Sequence, residues 1–186
     1  MLCMKRRAPP RPLPRPLIHW SAAPLGALTP TDPGMLGVVL RGRLDKPHGL
    51  WFSVGDGEDG WRAWCEAEGF AMERLSVSTE IVFKPGARVL RVGDAAGLRA
   101  LVEQYRREHD LSGLDWHRIG MAYDAVVIAP YISECRLAGD TFWYYSWDCA
   151  SGCAWNTDVI ETREYEPVRP VDYSNARPLA RLVVGK

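Results

Sequence analysis

Apolar and polar positions change period several times along this chain, and each change marks an element. Leu17-Ile-His-Trp20 is a short apolar run and predicts a first strand. Residues 21–34 hold Pro24, Gly26, Pro30, Pro33 and Gly34 and predict a loop. Leu36 to Leu40 predicts a brief strand or turn. Leu50 to Val54 is almost continuously apolar, as in a strand covered on both faces. Asp59 to Gly69 predicts a helix. Asp59 or Asp56 can cap its start, and Gly69 suits the left-handed stop position. Trp61, Trp64 and Cys65 then share one face.

Val77, Thr79, Ile81 and Phe83 alternate on one side of a further strand. Pro85-Gly86 turns the chain into a strand at Val89 to Val92. Asp94 caps a helix whose Leu98, Leu101, Val102 and Tyr105 form a stripe at helical spacing. A second helix is predicted over 112–122, with Trp116 and Ile119 inward and Ser112 and Asp115 spaced as a weak capping box. Tyr123 to Ala129 predicts a β-branched strand stopped by Pro130. Thr141 to Trp147, almost wholly aromatic, predicts another. This order of strands and helices predicts the α+β class with a split or two-sheet β core. Residues 1–16 are a basic, proline-rich arm, expected to be extended. Residues 17–161 are expected to form one domain. Residues 162–186 are charged and proline-broken, with one apolar run at 179–184, and predict a peripheral tail that can add an edge strand.

Composition narrows the options. The 186 residues are 47% hydrophobic, enough for one domain with a real core. Lys+Arg and Asp+Glu both number 23, so bulk charge does not drive non-specific nucleic-acid binding, although a local basic patch is compatible. Eight tryptophans build a core or line a pocket. No apolar run nears the ~20 residues of a membrane span, and prolines stand where a signal peptide would be apolar. Five cysteines (Cys3, Cys65, Cys135, Cys149, Cys153) suit reduced thiols and a cytoplasmic location. Cys149 and Cys153 can pair or bind metal, but one Cys-x-x-x-Cys without a second pair argues for thiols without metal.

Two segments carry candidate chemistry. In Leu17-Ile-His19-Trp20-Ser21, a strand histidine beside a hydroxyl can hydrogen-bond a sugar, or simply be a satisfied core histidine. In Lys46-Pro-His-Gly-Leu-Trp-Phe-Ser53, Gly49 lets the backbone approach a planar ligand closely, Trp51 or Phe52 can stack on a planar ring, and Ser53 can donate a hydrogen bond. An ordinary core strand explains the same residues. His48 reads as a turn residue. No Walker loop is present, and Gly55-Asp-Gly57 lacks the third glycine of a dinucleotide fingerprint. Cys149 with His117 or His109 could form a thiol nucleophile, but no orienting partner is visible.

Together these segments resemble the ADP-ribosyltransferase superfamily, in the branch with a His-Tyr-Glu triad found in bacterial and phage members. The resemblance spans roughly residues 17–160: a first strand with His-aromatic-Ser, a proline loop, Gly-Leu-Trp-Phe-Ser, then a helix with Trp-x-x-Trp-Cys. Ala122-Tyr-Asp-Ala-Val-Val-Ile128 resembles a tyrosine-aspartate strand of such proteins. The resemblance implies a split β core of two small sheets with flanking helices. It implies NAD as the substrate, bound by His19, Trp20, Ser21, Gly49, Trp51 and Ser53, and a protein or nucleic-acid acceptor. No Glu-x-Glu or Gln-x-Glu is present, and Trp51 and Phe52 stand where the triad has Tyr. The catalytic carboxylate is then Asp148, Asp140 or Glu134, with Asp148 and His19 the expected catalytic pair. Two alternatives stand beside this one: a non-catalytic aromatic-rich interaction module, and RNA 2′-phosphotransferase-like chemistry, for which a second His and an Arg are not identifiable.

Overall fold

The computed structural model describes residues 16–32, 46–107 and 113–166. The arm up to residue 15, the 36–40 segment, Ser112, His109, Cys3 and the 179–184 run lie outside the described residues. The described chain forms β1 (Leu17–Ser21), β2 (Leu50–Val54), α1 (Trp61–Glu68), β3 (Val77–Phe83), β4 (Val89–Val92), α2 (Ala95–Tyr105), α3 (Trp116–Ala122), β5 (Ala125–Ile128), β6 (Ser151–Ala154) and β7 (Ile160–Glu164). The class is α+β, with one seven-stranded mixed sheet in the order β4-β5-β6-β2-β1-β3-β7. Among the described strands only β4 and β5 run parallel, joined through α2 and α3.

The expected pair of small sheets is therefore a single hydrogen-bonded sheet. A partial split exists inside it. β1 meets β2 at Leu17↔Val54 and Ile18↔Ser53, and the ladder stops there. Both strands run on, β1 paired with β3 as far as Ser21↔Val77 and β2 with β6 as far as Leu50↔Ala154. The two halves of the sheet part between His19 and Trp51.

Alternation along the strands sorts side chains onto two faces. One face gathers Leu17, Phe52, Val54, Ile81, Val127 and Ile160. On the other, Val126, Ile128 and Cys153 meet the expected stripe of α2, Trp116 and Ile119 of α3, and Trp143, Tyr144, Trp147 and Trp155. Four of the eight tryptophans are thus core, which accounts for much of the aromatic content. Asp94 caps α2 as expected, its Oδ1 accepting from the Gly97 N–H at 2.7 Å.

Three elements differ from their sequence patterns. The aromatic stretch expected as a strand is a 3-10 segment, Gly139–Ser146, kinked at Thr141. Its exposed residues Phe142 and Tyr145 are three apart, with Trp143 and Tyr144 inward, which is 3-10 and not strand periodicity. The central strand β6 was not expected, because Ser-Gly-Cys-Ala carries little β-propensity. Its Gly152 is required, since a Cβ would lie 2.5 Å from both Phe52 and the Val126 carbonyl. The edge strand β7 begins at Ile160, so the expected domain boundary at 161 falls inside the sheet.

Asp124, expected as part of a family-like strand, ties together the ends of three strands. Its carboxylate accepts from the Arg88 backbone N–H at 2.7 Å, from Arg88 Nη2 at 2.8 Å and from Asn156 Nδ2 at 3.1 Å. Burial alone would raise its pKa, but the hydrogen bonds from Arg88 and Asn156 outweigh burial and hold it below the ordinary carboxylate value. A depressed carboxylate contributes stability above its unfolded pKa of about 3.9 and loses it as pH falls through the folded value. Asp124→Asn should cost about 1.5–3 kcal/mol at pH 7. Denaturant unfolding should show that gap closing as pH drops below about 3.9; a pH-independent gap would mean that the carboxylate charge plays no part.

Candidate active site

The parting of β1 and β2 opens a cavity of about 310 Å³. His19, Trp20, Trp51, Ser53 and Asp148 line it, together with Lys46, Trp61 and Arg74. Two of the expected ligand-binding residues are not among the lining: Ser21 and Gly49. Ser21 instead donates from Oγ to the Ala23 carbonyl at 2.7 Å, closing a local turn. Gly49 has φ +154°, and a Cβ there would collide with the Ala154 carbonyl oxygen and come within 2.9 Å of Cys153 Sγ. The close approach that needs this glycine is to β6, not to a ligand.

Ser53 lines the cavity, yet its hydroxyl proton is committed to the fold. It donates to the Gly55 carbonyl at 2.9 Å and accepts from the Trp61 N–H at 2.9 Å. That second bond satisfies an orphan donor at the start of α1. The expected aspartate cap is absent: the N-cap is Gly60, without a side-chain bond. Asp56 pairs with Arg62 at 2.9 Å, and burial, outweighing Arg62, keeps its pKa above the ordinary value. The helix does end at Gly69, in the left-handed region at φ 62°. The expected apolar face of α1 is divided: Cys65 is buried, while Trp61 and Trp64 stack on each other at 5.0 Å on a half-open flank.

His19 spans the gap between the two strands, with Nδ1 2.7 Å from the Trp51 carbonyl oxygen. A carbonyl can only accept, so Nδ1 carries a proton, and in the neutral ring Nε2 is the acceptor. Trp51 packs edge-on against Trp147, with centroids 4.8 Å apart. Trp147 precedes Asp148 in the chain, so this aromatic contact helps bring Asp148 to the same cavity as Trp51. Asp148 accepts from Arg136 Nη2 at 2.9 Å and retains 20% side-chain exposure. The other candidate acids lie elsewhere. Asp140 pairs with Arg99 at 2.8 Å on the surface, and the exposed Glu134 is not part of the cavity lining.

Sequence reasoning missed both cations of the cavity. The Lys46 ammonium lies 5.0 Å from the Trp51 ring centroid. The residue as a whole is exposed, but its charged end is shielded from water there, and this loss of hydration lowers its pKa; Asp148, Cys149 and Cys153 pull the other way. Lys46 opens the sequence block that contains Gly49 and Trp51, so its position was a usable signal. Arg74, on the 3-10 turn Met72–Leu75, had none. Trp20 presents a buried Nε1 with no partner among the described residues, and the Arg62 guanidinium lies over its ring at 5.5 Å.

Among the described residues Cys149 and His117 are not brought together at the cavity, and His109 lies outside those residues. Cys149 lines the cavity but is buried, which pushes its pKa up to about 12 and keeps it protonated at neutral pH. Cys153 is shifted upward by burial as well, and neither thiol is in a disulfide. His117 is on α3 and does not line the cavity. Among the described residues no group of three His, Cys, Asp or Glu is placed to hold a metal ion, and no helix is long and apolar enough to cross a membrane.

Two substitutions separate structural from ligand-facing roles. Ser53→Ala should lower stability by about 1 kcal/mol by freeing the Trp61 N–H. Gly49→Ala should cost about 3 kcal/mol from backbone strain and overpacking together. Chemical denaturation measures both, and a Gly49→Ala protein as stable as wild type would mean that contact with β6 is not what requires the glycine. Comparison of the chain with protein-family models, with curated proteins and with solved structures finds no match.

Proposed function

We propose that the protein is an ADP-ribosyltransferase-like enzyme that cleaves the nicotinamide–ribose bond of NAD and passes ADP-ribose to a macromolecular acceptor. The observation that carries this is the convergence of His19, Trp51 and Asp148, from three separate parts of the chain, on one cavity between parted strands. At about 310 Å³ the cavity is at the small end of the roughly 300–1,000 Å³ range of ligand sites, a size that suits the nicotinamide-ribose end of the dinucleotide.

Each residue then has a role its chemistry allows. Trp51 offers a ring face to nicotinamide, which displaces the Lys46 ammonium now over it. His19, with Nε2 as acceptor, takes a ribose hydroxyl. Lys46 and Arg74 supply positive charge for the diphosphate. Bond cleavage develops positive charge on the ribose as nicotinamide leaves with the bonding pair, and the Asp148 carboxylate, oriented by Arg136, stabilises that charge.

The same two cations favour a second reading on one point, since a 2′-phosphate would meet them as well as a diphosphate would. The RNA 2′-phosphotransferase-like reaction differs in needing phosphorylated RNA before NAD is consumed. A non-catalytic module would bind without turnover.

Calorimetry with NAD and an assay for released nicotinamide test the proposal. Trp51→Ala should weaken NAD binding at least tenfold. Asp148→Asn should keep binding and lose about 100-fold or more in nicotinamide release. Absence of both NAD binding and release by wild type at millimolar NAD would sink the proposal, and release only with 2′-phosphorylated RNA would select the second reading.

A further inference from the structure

We propose that Lys46 is the attachment point of a covalent site for a small aromatic aldehyde, its amine forming an imine inside the cavity against the ring of Trp51. Lys46 lines the cavity together with Trp20, Trp51, Trp61 and Asp148. Its nitrogen lies 5.0 Å from the Trp51 ring centroid. The backbone beside it is anchored, because Pro47 is buried and its carbonyl accepts from Cys153 Sγ at 3.7 Å.

The surroundings of the nitrogen favour a nucleophile. Loss of hydration disfavours the ammonium, while Asp148, Cys149 and Cys153 act the other way. Burial raises the pKa of both thiols, so of these three it is the Asp148 carboxylate that supplies charge. His19 and Arg74 also line the cavity. The loss of hydration outweighs the carboxylate, and the Lys46 pKa falls below the ordinary lysine value of 10.5. More of the amine is then neutral than at a surface lysine. A cavity of about 310 Å³ walled by indole rings suits a flat molecule of one ring. The ring of an aromatic aldehyde, conjugated with the imine, can lie on the Trp51 face. The iminium also keeps the positive charge that the ammonium now holds over that face.

The step balances within the cavity. Lys46 passes one proton to Asp148 and attacks the carbonyl carbon as a neutral amine. A C–N bond forms, and the carbonyl π pair moves to oxygen. A second proton moves from nitrogen to that oxygen. The nitrogen lone pair then forms the C=N bond and expels the oxygen as water, which takes the proton held by Asp148. Ammonium and aldehyde have become iminium and water, with charge conserved. This chemistry stands apart from that proposed for NAD, in which Lys46 supplies charge only.

The test is reductive trapping of the full chain with benzaldehyde and cyanoborohydride, without NAD, followed by peptide mass mapping. The chain has four lysines, Lys5, Lys46, Lys84 and Lys186, and each is read separately. Lys84, exposed and donating from Nζ to the Asp158 carbonyl at 2.9 Å, is the internal reference. At about pH 7.5, Lys46 should take the benzyl group at least about tenfold faster than Lys84, the ratio that one pKa unit sets. Its rate should saturate with benzaldehyde and exceed its rate with propanal. Asp148→Asn should slow trapping at Lys46 even though loss of the carboxylate leaves more of the amine neutral; a lysine that is merely reactive would speed up instead. Equal labelling of Lys46 and Lys84 in wild type, a strictly linear dependence on benzaldehyde, equal rates with propanal, or faster trapping in Asp148→Asn would overturn the proposal.

Discussion

The hydrogen bond from His19 Nδ1 to the Trp51 carbonyl spans the place where one sheet divides, and the candidate site depends on that division. Strands that stay paired leave no room between them. Here β1 follows β3 and β2 follows β6, so the two halves separate after two paired residues. An imidazole reaching across satisfies a carbonyl that would otherwise lose its ladder partner at the edge of a cavity. One histidine thereby supports the gap and, as a neutral ring, has its second nitrogen as an acceptor.

Around that gap the fold uses polar groups sparingly and aromatic groups heavily. Ser53 joins β2 to α1, donating to Gly55 and accepting from Trp61. Trp147 has two consequences: its ring closes the core beneath Trp51, and its place in the chain sets Asp148 at the cavity wall. Asp148 is then flanked by unlike cations. Arg136 is a hydrogen-bonded partner, while Lys46 lies over the adjacent ring and is weakened as an ammonium by loss of water.

The sequence was legible where local rules decide the outcome. The stripe of α2 with its Asp94 cap, the left-handed stop at Gly69 and the alternation of β3 follow from periodicity and caps alone. The aromatic run after Gly139 was not legible, because large rings suit a strand and a 3-10 turn equally and packing against α2 and α3 chose between them. β6 was hidden for the opposite reason. Its small residues carry little propensity, and they are required by the closeness of Phe52 and the Val126 carbonyl, which belong to its neighbours. Gly49 was expected to bring the backbone close to a ligand, but what approaches it is the Ala154 backbone.

By itself, the sequence determined the α+β class, most of the strands and helices, and a short set of residues with suitable chemistry, because each depends on neighbours within a few positions. Only the tertiary structure decided which of those residues meet. It brought Asp148, and not Asp140 or Glu134, to the cavity beside Trp51, added Lys46 and Arg74, and withdrew Ser21 and Gly49 from the lining. The physical reason is that these placements rest on contacts between distant segments, such as His19 with the Trp51 carbonyl or Trp51 with Trp147. No period or cap in the chain encodes such contacts.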